Sequence, residues 1–256
     1  SMAERWDSLR DNTEFVFHLR ANLRWSDGKP ITADDFVYSL RRGLNPTLAA
    51  RAAYMAYDIA YAQAYNEGGV FVRNRTTGAF VMDPADPAHR LTLPGDAKAR
   101  DAVLASAALA GARGQEFVPV RAEDIGVDAV DARTLRLRLM RPVPFMAGLL
   151  THQFFRPVPR DAVEKYGESW TRPGHIVCSG AFVLTEWKPY DRLVAVRNPN
   201  FWDVARVKLD RITFYPIELN TTSMNLYKAG SVDAFLNHTP PAEWVDNLRG
   251  YQDYMD

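Results

Sequence analysis

A chain of 256 residues with 47% hydrophobic content can bury a sizeable core, and its length suits one large domain or two small ones, of which two are expected. Its 31 basic and 31 acidic residues cancel, which argues against electrostatic capture of nucleic acid or of an anionic membrane surface. Cys178 is the single cysteine, so an internal disulfide is excluded, and no run approaches the roughly 18 apolar residues of a membrane-spanning helix.

Ser1-Met2 has the look of a protease-cleavage remnant, with natural sequence expected from about Ala3; a missing leader is therefore no argument about compartment. Phe15, Phe17 and Leu19 alternate with Val16, His18 and Arg20 at the two-residue period of a half-buried strand. Asp27-Gly28 is a turn dipeptide, and Pro30 keeps Lys29 extended. Thr32 suits a helix N-cap, and Asp34 and Asp35 place negative charge at the first turn. Phe36, Val37 and Leu40 share a face, so a helix is expected from about Ala33 to Arg42.

Asn45-Pro46 breaks that pattern, and a second, tyrosine-rich helix is expected over Arg51 to Tyr65. Residues 66–119 change character: a small hairpin around Thr77-Gly78, a proline-rich loop, then an alanine-rich helix capped by Asp96 and closed at Gly111. This stretch reads as an inserted excursion. Ile125 to Val130 and Leu135 to Leu139 form a hairpin turning through Asp131 to Arg133, after which four prolines punctuate a connection containing the apolar Phe145 to Leu150.

A domain boundary is placed there, giving residues 1–157 and 158–256. The second part predicts a short helix at Arg160 to Tyr166, paired strands at Ala181 to Trp187 and Leu193 to Val196, and a strand at Asp210 to Tyr215. A helix capped by Asn220 or Thr221 and ended by Gly230 follows, then a strand at Val232 to Leu236. Strand, helix and strand suggest a crossover unit in a mixed sheet, so the fold class is α/β (α+β mixed).

Four ordered blocks carry a resemblance: FVFHLRANLRWSDGKPITADDFVYSLRR (15–42), RTLRLRLMRPVPFMAGLLTH (133–152), WTRPGHIVCSGAFVLTEWKPYDRLVAVRNPNFWD (170–203) and ITFYPIELNTTSMNLYKAGSVDAF (212–235). They are similar to the family 5 extracellular solute-binding proteins of ABC importers, most closely the oligopeptide-binding branch. The third block resembles that family's Gly-x-Tyr-x-Leu and Asn-Pro-x-Tyr-Trp pattern, with Phe182 and Phe201 in the tyrosine places.

The resemblance covers nearly the whole chain apart from the excursion and implies a periplasmic binding protein type II-like fold with mixed sheets. Residues 1–157 would be the small accessory domain and 158–256 part of the first lobe, without the second. It further implies a non-catalytic protein, periplasmic or extracellular, free or lipid-anchored, monomeric, with a peptide ligand and permease subunits as partners.

By the same resemblance His152 and Asn237 match ligand-facing positions, and Tyr54 lies near a ligand-facing tyrosine. The competing readings are a satisfied histidine at a strand end, a turn residue, and, for Tyr54 the stronger one, core packing. Trp25, Trp187 and Trp202 read as packing residues. An enzyme has no positive signal: Asp34-Asp35 are helix-capping residues that do not face each other, and Ser179 lacks a nucleophile elbow. The five histidines have no metal-ligand spacing and there is no phosphate loop, so no cofactor or metal is expected. A pure interaction module would need a large exposed apolar patch, for which the alternating strands give no sign. Dipeptides, metal chelates and sugars remain alternative solutes.

Overall fold

A computed structural model describes residues 1–234 and 244–250. The first half is built on a four-stranded antiparallel sheet in the order β1 (Ala3–Leu9), β2 (Glu14–Leu19), β7 (Thr134–Arg138), β6 (Val127–Asp131). Phe15, Phe17 and Leu19 alternate inward on β2, and Leu135 and Leu137 do so beside them on β7. Helix α1 (Ala33–Gly43) lays Ala33, Val37 and Leu40 on this face, and Trp25, Ile31, Ile125 and Met146 complete the core. The Asp35 carboxylate reaches back to accept the Thr32 amide at 2.8 Å, closing the first turn. Gly28, at φ +90°, makes the tight turn that the Asp27-Gly28 pair predicts.

The second half is a three-stranded antiparallel sheet, β10 (Arg211–Phe214), β9 (Arg192–Arg197), β8 (Phe182–Lys188), so the expected pairing of 181–187 with 193–196 is present. Helix α5 (Arg160–Tyr166) precedes it and α6 (Asn220–Lys228) follows, with α7 (Val245–Leu248) beyond. Gly230, at φ +68°, ends α6 as expected: its amide bonds the Tyr227 carbonyl, and the Ser231 amide bonds that of Leu226.

The two halves are stitched by polar contacts from the first family block. The Ser26 amide donates to the Cys178 carbonyl at 2.8 Å, and the Cys178 amide returns a bond to Ser26 Oγ at 3.1 Å. Asn200 Nδ2 bonds the Ser26 carbonyl, Asn22 Nδ2 bonds that of Trp202, and Lys29 pairs with Asp161.

Several expectations are corrected. Arg51 to Tyr65 is not one helix: a 3-10 turn (Ala53–Ala56) and a short helix α2 (Ala62–Asn66) flank a stretch in which Ile59 bridges Leu139. There the Ala60 amide bonds the Arg138 carbonyl, the Gly126 amide bonds that of Ala60, and Tyr61 turns left-handed at φ +60°. Pairing with the sheet edge outcompetes helix continuation.

The alanine-rich helix α3 (Ala97–Leu104) does begin on Asp96, whose carboxylate accepts the Ala99 amide, but it stops at Leu104. The Arg113 side chain takes the carbonyls of Leu104, Ala105 and Ser106, and a 3-10 stretch (Ala107–Ala112) runs through Gly111 instead of ending there. Helix α6 starts at Asn220 with Leu219 in the cap position, so neither Asn220 nor Thr221 caps it. Residues Val232 to Ala234 form no strand and 235–236 lie outside the described residues; every strand pairing among the described residues is antiparallel, without the expected crossover.

Strand β1 carries too few inward apolar residues to be read from sequence, and Trp6 on it is exposed. The excursion holds a sheet of its own, β4 (Thr92–Leu93), β3 (Val70–Arg73), β5 (Glu116–Pro119), over a small cluster of Val70, Val72, Leu91, Leu93 and Leu104. Its Thr77-Gly78 hairpin is present, with the Gly78 amide on the Asn74 carbonyl. The 145–150 segment contains helix α4 (Met146–Leu149).

Candidate functional site

Tyr54 lies in the 3-10 turn of residues 53–56. A three-residue period puts Ala53 and Ala56 in the core and Tyr54 outside, where it is 63% exposed, so the expected core packing of this ring is wrong. Its hydroxyl and ring face are open to a partner.

His152 begins the 3-10 turn Gln153–Phe155, not a strand end as expected. Its Nδ1 accepts the Phe154 amide at 3.2 Å, and the side chain is half-buried. Phe154 and Phe155 meet edge to face at 5.2 Å and pack on the main core, and the Phe154 ring lies over Gly43 at the end of α1. Tyr54 and His152 thus sit on separate turns rooted in one core. Asn237 lies outside the described residues.

The tryptophans divide. Trp25 is buried and Trp202 packs on the core under the Arg20 guanidinium, 4.3 Å from its ring centre, as expected of packing residues. Trp187 is corrected: it is exposed, with Arg172 stacked at 4.4 Å.

Two concavities stand out. One, of about 420 Å³, lies between α2 and residues 92–96, with Tyr57 and Tyr61 in its wall; Tyr57 is held by a hydroxyl bond to Asn66 Oδ1. Burial pushes the Tyr57 phenol above its ordinary value, so it is a neutral hydroxyl at neutral pH. The other, of about 300 Å³, lies between the β8–β9 turn, the end of β10 and α6, walled by Tyr190, Asp191, Tyr215, Ile217, Leu226 and Val232. Tyr190 stands almost wholly free of the protein on a left-handed turn. Tyr190 lies in the Pro189-Tyr190-Asp191 turn between the paired strands and Tyr215 at the end of the expected Asp210 to Tyr215 strand, positions that do not by themselves mark a concavity.

Among the described residues no three His, Cys, Asp or Glu side chains gather as a metal site. Neither concavity pairs a nucleophile with a base, and the arrangement can offer aromatic faces and hydrogen bonds to a bound molecule.

A family model described as "Bacterial extracellular solute-binding proteins, family 5 Middle" matches residues 1–253, and so runs through the excursion as well. The periplasmic oligopeptide-binding protein OppA of Escherichia coli is 33% identical over 248 residues, which is 97% of this chain and 36% of that protein. The E. coli protein named "Probable deoxycholate-binding periplasmic protein YgiS" is 31% identical over 91% of this chain and 35% of its own length. The solved structure of the E. coli murein tripeptide binding protein MppA superposes with a TM-score of 0.71 at 29% identity, covering 96% of this chain and 38% of that one. The chain spans little more than a third of the length of the relatives it matches.

Proposed function

The chain belongs to the bacterial extracellular solute-binding proteins of family 5, and on that premise we propose that it is part of the peptide-binding component of an ABC importer. It would work without catalysis, outside the cytoplasm, free or lipid-anchored, as a monomer that delivers ligand to permease subunits. The likeness of nearly the whole chain to an oligopeptide-binding protein carries this reading.

In it, residues 1–157 are the accessory domain and 158–256 belong to the first lobe. Such proteins close two lobes over a ligand, so this chain supplies one wall, and the contacts assigned to it are His152, Asn237 and Tyr54. The exposed phenol of Tyr54 suits that role, since an aromatic ring held by a rigid turn offers contact area at small entropic cost. Backbone hydrogen bonds and water-filled pockets would hold an extended peptide while tolerating varied side chains.

A non-peptide solute is the second reading, favoured by the likeness to YgiS, whose name carries deoxycholate. Calorimetric titration of trialanine and of deoxycholate into the full-length protein separates the two. Heat with trialanine alone supports the peptide reading, and heat with deoxycholate alone overturns it. The 1–256 chain by itself is expected to bind neither tightly, because it holds one wall.

A further inference from the structure

The cap at His152 fixes the chemistry this side chain can offer. A backbone amide can only donate, so the ring nitrogen that receives the Phe154 amide, Nδ1, carries no proton. A neutral imidazole then bears its single proton on Nε2, for which no partner is found among the described residues. The turn that carries the ring is anchored: the cap residue is extended at φ −63° and ψ 145°, and Phe154 behind it packs over Gly43, where an added Cβ would stand 3.0 Å from the Phe154 ring.

We infer that His152 meets ligand as a hydrogen-bond donor through Nε2–H, and so takes an acceptor there: a peptide carbonyl or carboxylate oxygen. A ligand amide N–H has no acceptor to find at this position. The inference rests on the proposed ligand contact at His152 and deepens it. Holding the donor before ligand arrives lowers the ordering cost of the contact.

Two measurements test it. A long-range 1H–15N spectrum of the 1–256 chain at neutral pH, with the His152 signals assigned by their loss in His152→Asn, is expected to show the Nε2–H tautomer. An Nδ1–H tautomer would overturn the inference while leaving the peptide reading intact. In the full-length protein, His152→Asn keeps an acceptor in the place of Nδ1 and removes the distal donor, and is expected to weaken trialanine binding about tenfold. His152→Gln returns a distal N–H donor and is expected to bind close to wild type. Equal trialanine affinity in wild type and His152→Asn, with trialanine still bound, would remove His152 from the ligand site and overturn the inference.

Discussion

Gly126 sits where residues 57–61 meet the sheet edge, and Gly126→Ala is the perturbation that tests why those residues are not helical. An added Cβ would stand 2.5 Å from the Arg138 carbonyl oxygen, 2.8 Å from Ala60 Cβ and 3.3 Å from the Ala60 nitrogen. Three backbone bonds converge there: Gly126 amide to Ala60 carbonyl at 2.8 Å, Arg138 amide to Gly126 carbonyl at 2.8 Å, and Ala60 amide to Arg138 carbonyl at 2.9 Å. Backbone on two sides cannot step aside as a side chain would, so the new methyl must push the 60 segment off the sheet. Overpacking costs about 1–3 kcal/mol, and one or two weakened bonds add about 1 kcal/mol each. The expected loss is therefore roughly 2–5 kcal/mol, a large share of a domain's stability. Urea denaturation reads it as a lower midpoint at unchanged slope. Gly111→Ala is the control: nothing lies within 4 Å of its added Cβ, and a change of at most about 0.5 kcal/mol is expected. Ala60→Gly should recover part of the Gly126→Ala loss, because the two share a contact. A loss below about 1 kcal/mol in Gly126→Ala would refute the claim that sheet pairing locks this segment.

Three further outcomes follow from single sites. Asn198 is fully buried, donates to the Gly180 carbonyl at 2.8 Å and accepts the Asn200 amide at 2.9 Å; Asn198→Ala should cost about 2–3 kcal/mol by thermal or urea unfolding, and a neutral result would show that water replaces both bonds. The Arg90 guanidinium lies 4.1 Å from the Phe71 ring centre, 4.9 Å from Phe80 and 5.0 Å from Tyr61, and bonds Asp124 at 3.1 Å. Arg90→Lys should therefore cost about 1–2 kcal/mol and speed amide exchange in β3 and β5, whereas unchanged exchange would contradict the cage. Burial raises the Asp35 carboxyl above the ordinary carboxylate value despite its bond from the Thr32 amide. Its stabilising share is present below the unfolded-state value of about 4 and is lost as pH rises through the folded one. Asp35→Asn keeps the cap acceptor, so the stability of wild type relative to this variant should fall as pH rises through that window; a rise would show the carboxylate is favoured in the fold.

How much was legible depended on whether a local signal or a distant partner decided the conformation. The stretch from Phe15 to Leu40 was read well because its alternation, its Asp27-Gly28 turn and its Thr32 cap are settled within a few residues. Gly230 was read for the same reason. Arg51 to Tyr65 was misread because Ile59 and Ala60 pair with residues almost eighty positions away, which no local propensity records. The alanine run after Asp96 stops because Arg113 takes its carbonyls, again from outside the helix. Strand β1 is an edge strand with charged and small residues, so its alternation is faint. The site was less legible than the fold. Tyr54 looked like a core aromatic because its neighbours are apolar, yet a 3-10 period carries it outward. The cap role of His152 depends on a turn that the flanking phenylalanines create, and residue composition alone does not reveal it.

The central claim, that this chain is one wall of a peptide-binding importer component, is tested most directly by identifying what the full-length protein carries when purified from its native host. Mass spectrometry of the ligand released on denaturation should show a mixture of short peptides. A homogeneous non-peptide solute, such as a bile acid, a sugar or a metal chelate, would contradict the account.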